Sequence, residues 1–130
     1  MLTDVETHVR FVVPGKPIAK PRMTRADKWQ QRPIVMRYWE YKDRIRNVVG
    51  NTPPASRVDI IAYLPIPQSW SRIKKKEMAG QPHRQTPDWD NIAKAVQDAL
   101  WDEDKTVHAG SCVKFWDDGK GARIEINLVT

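Results

Sequence analysis

The stretch Pro87-Asp88-Trp89-Asp90-Asn91-Ile92-Ala93-Lys94 leaves its backbone few options, and the rest of the chain has to fit the one it takes. Pro87 disfavours a helical conformation at the residue before it, so the chain reaches Asp88 extended or turning. Side chains two apart in an extended segment point to the same side, which pairs Asp88 with Asp90. From Asp90 onward the period changes. Ile92, Ala93, Val96, Ala99 and Leu100 recur at helical spacing, and Asp90 reads as the N-cap before them. Lys94 falls one helical turn after Asp90, on the same face. The helix is predicted to end near Leu100-Trp101, where Asp102-Glu103-Asp104 follows at once.

Five acids therefore fall within residues 88–104, leaving Asp98 aside, with a lysine among them. Carboxylates crowded in this way repel one another unless a positive charge sits between them. A divalent cation would serve, and Mg²⁺ prefers hard oxygen ligands, usually one or two carboxylates with waters and phosphate oxygens. A bland alternative stands beside this: helix capping at one end, a solvated turn at the other, and an Asp90–Lys94 surface pair worth about 0.3–0.5 kcal/mol. Asp98, a turn beyond Lys94, either orients that lysine or is a surface acid. His83, five residues before Asp88, is a second-rank candidate base, since most lone histidines are not catalytic.

At 130 residues the chain makes one domain, 1–130, long enough to bury a core without staples. Cys112 is the single cysteine, so neither an intrachain disulfide nor a multi-thiolate zinc site is available. The first residues show no basic region followed by an apolar run, and no stretch approaches membrane-spanning length, so a cytoplasmic protein is expected. The net charge of +6 is unevenly spread. Residues 1–50 carry eleven basic and five acidic side chains, whereas residues 81–130 carry six and nine. A basic front half and an acidic back half suit a metal-dependent enzyme acting on a polyanion, one part gripping phosphates and the other the cation.

Residues 7–13 are rich in β-branched side chains and read as a first strand. Residues 16–33 hold Pro17, Pro21 and Pro33 among Lys16, Lys20, Arg22, Arg25, Lys28 and Arg32 with no hydrophobic period. They read as a long basic loop, an arm for nucleic-acid phosphates, in which Trp29 either stacks on an unpaired base or anchors the loop. Residues 36–49 show an amphipathic helix stopped by Gly50. Val58, Ile60, Ala62 and Leu64 form one face of a strand over 57–64. Ser69 and Ser71 offer caps for a short helix through Met78, carrying Lys74, Lys75 and Lys76, a triplet that is either a solvated face or a second phosphate contact. Residues 106–116 read as a third strand and 123–129 as the last. Between them, Asp117-Asp118-Gly119-Lys120-Gly121 carries the strongest hairpin signal in the chain. The expected fold is α+β: a single small domain with a mixed β-sheet, helices packed on it, and the order β-α-β-α-α-β-β.

With these residues placed, the chain resembles the RusA family of Holliday-junction resolvases over most of its length. The resemblance rests on Phe11-Val12-Val13-Pro14-Gly15-Lys16-Pro17, Lys20-Pro21-Arg22, Trp70-Ser71-Arg72-Ile73-Lys74-Lys75-Lys76 and Pro82-His83. It rests above all on Pro87-Asp88-x-Asp90-Asn91-x-x-Lys94-x-x-x-Asp98-x-Leu100, followed by Glu103-Asp104-x-x-Val107. That compound motif is long and fixed in spacing, and so far more specific than a lone Asp-x-Asp. The resemblance implies a homodimeric Mg²⁺-dependent endonuclease, with Mn²⁺ a possible substitute, that cuts four-way DNA junctions. It matches Asp88, Asp90 and Asp104 to the family's catalytic, metal-holding acids and Lys94 to its catalytic lysine. The connection from helix to acid is short here, leaving Glu103 as the neighbour of Asp104; Val107 sets the register in favour of Asp104. Lys16, Lys20, Arg22, Arg25 and the lysine triplet are the expected DNA contacts.

Two other classes fit part of the pattern. Pro87-Asp88 with Glu103-Asp104-Lys105 also spells the signature of restriction-type nucleases, which needs its Glu-x-Lys on a strand. A non-catalytic DNA-binding module would use the acids only as caps. Mg²⁺-dependent nicking separates the module from both nucleases.

Overall fold

Val58, Ile60, Ala62 and Leu64 are buried and alternate with half-exposed neighbours, and the strand they define, β2 (Arg57–Leu64), is the one around which the sheet forms. The computed structural model describes residues 7–22, 32–52, 54–102 and 106–130. In chain order its other elements are β1 (His8–Pro14), α1 (Pro33–Val49), α2 (Arg72–Met78), α3 (Trp89–Leu100), β3 (Ala109–Trp116) and β4 (Arg123–Val129). This is the expected α+β order. The four strands form one mixed sheet in the spatial order β1-β4-β2-β3. β2 and β3 run parallel because the helical segment between them carries the chain back to the same end.

The inward faces of β2 and β4 meet α1 and α3. Tyr38, Tyr41 and Ile45 of α1 and Ile92, Ala95, Val96 and Ala99 of α3 close over Ile60, Ala62, Ile124, Ile126 and Leu128 in one core. Arg46 locks the two helices together: its guanidinium donates to the Ala99 carbonyl at 2.9 Å and the Asp98 carbonyl at 3.3 Å, satisfying acceptors that the last turn of α3 leaves open. No helix among the described residues is long and apolar enough to cross a membrane.

Three details depart from expectation. α1 begins at Pro33 rather than residue 36, because a proline in the first turn has no N–H to lose. β3 begins at Ala109 rather than residue 106. The His108 N–H donates to the Ser56 carbonyl at 2.9 Å and the Thr106 hydroxyl to the Ala55 carbonyl at 3.3 Å, so this segment is hooked to the lead-in of β2. The largest departure concerns residues 117–121, which do not close a hairpin. β3 and β4 lie on opposite sides of β2, and the turn carries the chain across its end. The turn supplies its own partners. The Asp117 carboxylate accepts the Gly119 and Gly121 N–H groups at 3.0 Å each, both glycines holding positive φ, and Arg123 grips Asp118 twice at 3.0 Å. A locally satisfied turn of this kind tolerates a wider span than a two-residue hairpin.

Among the described tryptophans, Trp116 belongs to the core. It is buried within the chain, edge-on to Trp70 at 4.8 Å between ring centres, and Trp39 remains 37% exposed.

Candidate active site

The residue that caps α3 is Asp88, not Asp90. Asp88 keeps the extended conformation (φ −71°, ψ 145°) in which the Pro87 segment delivers it, and its carbonyl accepts the Ile92 N–H at 3.1 Å. Its carboxylate makes no capping hydrogen bond, and the residue is exposed. Asp90 sits in the first turn, where the positive end of the helix dipole favours a carboxylate. Lys94 follows one turn later with its ammonium 3.8 Å from the Asp90 carboxylate; the two side chains are 58% and 50% exposed. At that exposure the pair contributes little to stability. Its atoms are open to a third partner.

Asp90 and Lys94 look into a cleft of about 390 Å³ between α3 and β3, whose far side includes His108 and Cys112. Burial pushes the Cys112 thiol up to about 11, so at neutral pH it is a protonated thiol and a poor metal ligand. Asp90 is the carboxylate that lines the cleft, and Asp88, two residues before it, is exposed at the start of α3; both offer the hard oxygens that suit Mg²⁺. No group of three or more His, Cys, Asp or Glu side chains comes together among the described residues. Asp104, Glu103 and Lys105 lie outside them, as do Arg25, Lys28 and Trp29.

The basic arm starts out bound to the same helix. The Lys20 N–H donates to the Asn91 carbonyl at 3.1 Å, and its ammonium lies 2.8 Å from the Asp98 carboxylate. Buried Tyr38 of α1 donates its hydroxyl to the other side of this cluster, 2.9 Å from Asp98 Oδ2. Burial works to raise the Asp98 pKa, but the bonds from Lys20 and Tyr38 prevail and hold it below the usual carboxylate range. Asp98 is thus engaged by the arm and by α1. Lys16 and Arg22 are exposed, and Arg22 shares a surface pocket with Lys20, Asn91 and Lys94. Of the lysine triplet on α2, Lys74 lies over the Trp70 ring, 4.2 Å from its centre, and Lys76 is exposed while Lys75 is half-buried.

His83 is buried against Trp116, with ring centres 4.2 Å apart, and its Nδ1 meets no protein partner. Burial lowers its pKa and the nearby Lys114 charge lowers it further, so the ring is held neutral. Lys114 itself was not foreseen. From β3 its ammonium reaches the Gln85 carbonyl at 2.6 Å and the Pro87 carbonyl at 2.8 Å, immediately before Asp88. The one available signal was its place between Cys112 and Trp116 on the inward-pointing positions of a strand, an unusual setting for a lysine. Trp89, 59% exposed between the two acids, and His108 in the cleft also escaped notice.

The family model Endodeoxyribonuclease RusA matches residues 14–128, from the end of β1 into β4, a span containing every site residue expected from the sequence. The chain belongs to the RusA family. No curated protein matches it. RusA membership makes the chain an endodeoxyribonuclease of the Holliday-junction-resolving kind, so the exposed Asp88–Asp90–Lys94 edge of α3 lies in a protein that cleaves DNA phosphodiesters.

Proposed function

We propose that this RusA chain is a Mg²⁺-dependent resolvase that cuts four-way DNA junctions in recombination and repair, working in the cytoplasm as a homodimer that makes paired nicks. One observation carries the assignment of the site. Asp88 and Asp90 stand at the exposed start of α3, the Asp88 carboxylate unspent on capping and Lys94 one turn away. In this reading Asp88, Asp90 and Asp104 hold the metal, and Mn²⁺ can replace it. When bound, the ion supplies an activated water and neutralises charge that builds on the phosphate. Lys94 donates to a phosphate oxygen, stabilising negative charge as the bond breaks. Lys16, Arg22, Arg25 and the lysine triplet grip the phosphates of the arms, and Lys20 divides its role between that grip and the tie to Asp98. Asp98 positions the arm, and Glu103 flanks the third acid.

The test compares cleavage of a four-way junction, a fork and a linear duplex by the purified protein with and without Mg²⁺. Asp88→Asn, Asp90→Asn and Asp104→Asn should each abolish cutting while junction affinity holds or rises, because a lost carboxylate also removes repulsion toward phosphate. Near wild-type cutting by all three variants would put the site elsewhere.

A further inference from the structure

We propose that Lys114 is a positioning residue of this site, holding the backbone that presents Asp88 by donating from β3 to the carbonyls of Gln85 and Pro87. The proposal rests on the metal-holding role of Asp88 given above.

Residues 80–87 have no secondary structure of their own beyond one bridge, Pro82 with Phe115, yet they must end with Asp88 in a fixed place. The outer edge of β3 gives them a template. The Trp116 carbonyl accepts the Gly80 N–H at 3.1 Å, the Trp116 N–H donates to Gln81 at 2.9 Å, and the Lys114 carbonyl accepts the His83 N–H at 3.0 Å. Backbone pairing stops there. Beyond His83, the hydrogen bonds that reach this segment from β3 among the described residues are those of the Lys114 ammonium, at 2.6 Å to Gln85 and 2.8 Å to Pro87. Strand alternation puts Lys114, opposite buried Ala62, on the helix-bearing face of the sheet, so its stem crosses the core edge toward the start of α3.

An ammonium suits this task. It carries three donors and no acceptor, so it can bridge two carbonyls that would otherwise point at the same space and repel. Pro87 offers no N–H, so its carbonyl is the last backbone group by which the segment can be held before Asp88. Its neighbour on the chain is the carboxylate that must meet the metal. A lysine that only stabilised the fold would be expected to bond within the sheet. This one spends both contacts on the approach to the site.

The experiment uses Lys114→Met, which keeps the stem and removes the ammonium, with Lys114→Gln as a second uncharged variant and Lys114→Arg as the conservative one. Four readouts are taken on each: thermal midpoint, junction affinity without metal, Mn²⁺ binding by calorimetry without DNA, and single-turnover cleavage at saturating protein. A misplacement on the order of 1 Å at a reacting group costs roughly 100-fold in rate. The uncharged variants should therefore cleave roughly 10- to 100-fold more slowly and bind Mn²⁺ more weakly, with junction affinity within about twofold of wild type, and Lys114→Arg should recover part of the loss. Unchanged Mn²⁺ binding and rate in a folded uncharged variant would overturn the proposal, as would a loss confined to the thermal midpoint or to junction affinity. Amide exchange at residues 88–92 reads the hold on the segment without any activity. Wild type inert with Mg²⁺ would sink the function above, while the exchange data still decide on Lys114: unaltered protection in Lys114→Met sinks it.

Discussion

Two histidines near the site have opposite surroundings: His108 is exposed in the cleft, whereas His83 is packed under Trp116 with its Nδ1 unpartnered. Burial lowers the His83 pKa, with Lys114 adding to the effect, and the sign of the consequence is definite. The unfolded chain takes up a proton near pH 6.5, before the native state does. Stability is therefore fully present above about pH 6.5 and declines as pH falls from there toward the lower native value. Denaturant midpoints measured from pH 7.5 to 5 should show this decline, and His83→Gln should flatten it. An equal slope in the variant would assign the pH dependence to another group. The same burial keeps the ring neutral and covered, which suits packing beneath the segment that leads to Asp88.

Among the elements, α3 performs two tasks on two faces. Ile92, Ala95, Val96 and Ala99 bury one stripe against the sheet, while Asp90 and Lys94 look outward. Asp98 lies between these stripes and joins Tyr38 of α1 to Lys20 of the arm. Tyr38→Phe removes one hydrogen bond to a charged acceptor and should lower stability by about 1.5–3 kcal/mol in urea unfolding. Combined with Asp98→Asn, the two losses should fall short of their sum, because both break the same bond. Strict additivity would mean that the hydroxyl and carboxylate do not interact in solution. A glycine sets the other wall of the cleft. A Cβ at Gly110 would lie 2.6 Å from the Val58 carbonyl oxygen, closer than any side chain permits, so β3 can lie this near β2 only with glycine there.

At the scale of the molecule, one chain brings one Asp88–Asp90 pair, and resolving a four-way junction takes nicks in two strands. A two-fold dimer sets two such pairs at a fixed separation, since an isologous interface relates each site to its mate. Sedimentation at micromolar concentration should report about twice the chain mass of 15.1 kDa. An excess of Asp90→Asn chains exchanged into wild type should give heterodimers that nick one strand and leave the junction joined. A monomer both free and on junction DNA would refute the paired-site arrangement. Trp39, part-exposed on α1, is available for such an interface, whereas Trp116 is committed to the core.

What could be read from residues alone was whatever depends on near neighbours along the chain. The switch from extended to helical at Pro87–Asp90, the alternation of β2 and β4, and the stop at Gly50 each follow from a few adjacent side chains, so the element order emerged correctly. The placement of Asp88, Asp90 and Lys94 at one helix start was legible for the same reason, since they lie within two helical turns. The cap came out two residues late because Asp88 and Asp90 are equally good capping residues, and only the path of the backbone through Pro87 chooses between them. Strand order was decided by the folded molecule. An Asp-Gly turn joins neighbouring strands by default, and nothing local reveals that β2 occupies the place between β3 and β4. The partners of Lys20, Asp98 and Lys114 were hidden likewise. Lys20 and Asp98 stand 78 residues apart, and Lys114 reaches Pro87 across 27. A charged side chain chooses its partner by the space the packed core leaves it, which no spacing along the chain encodes.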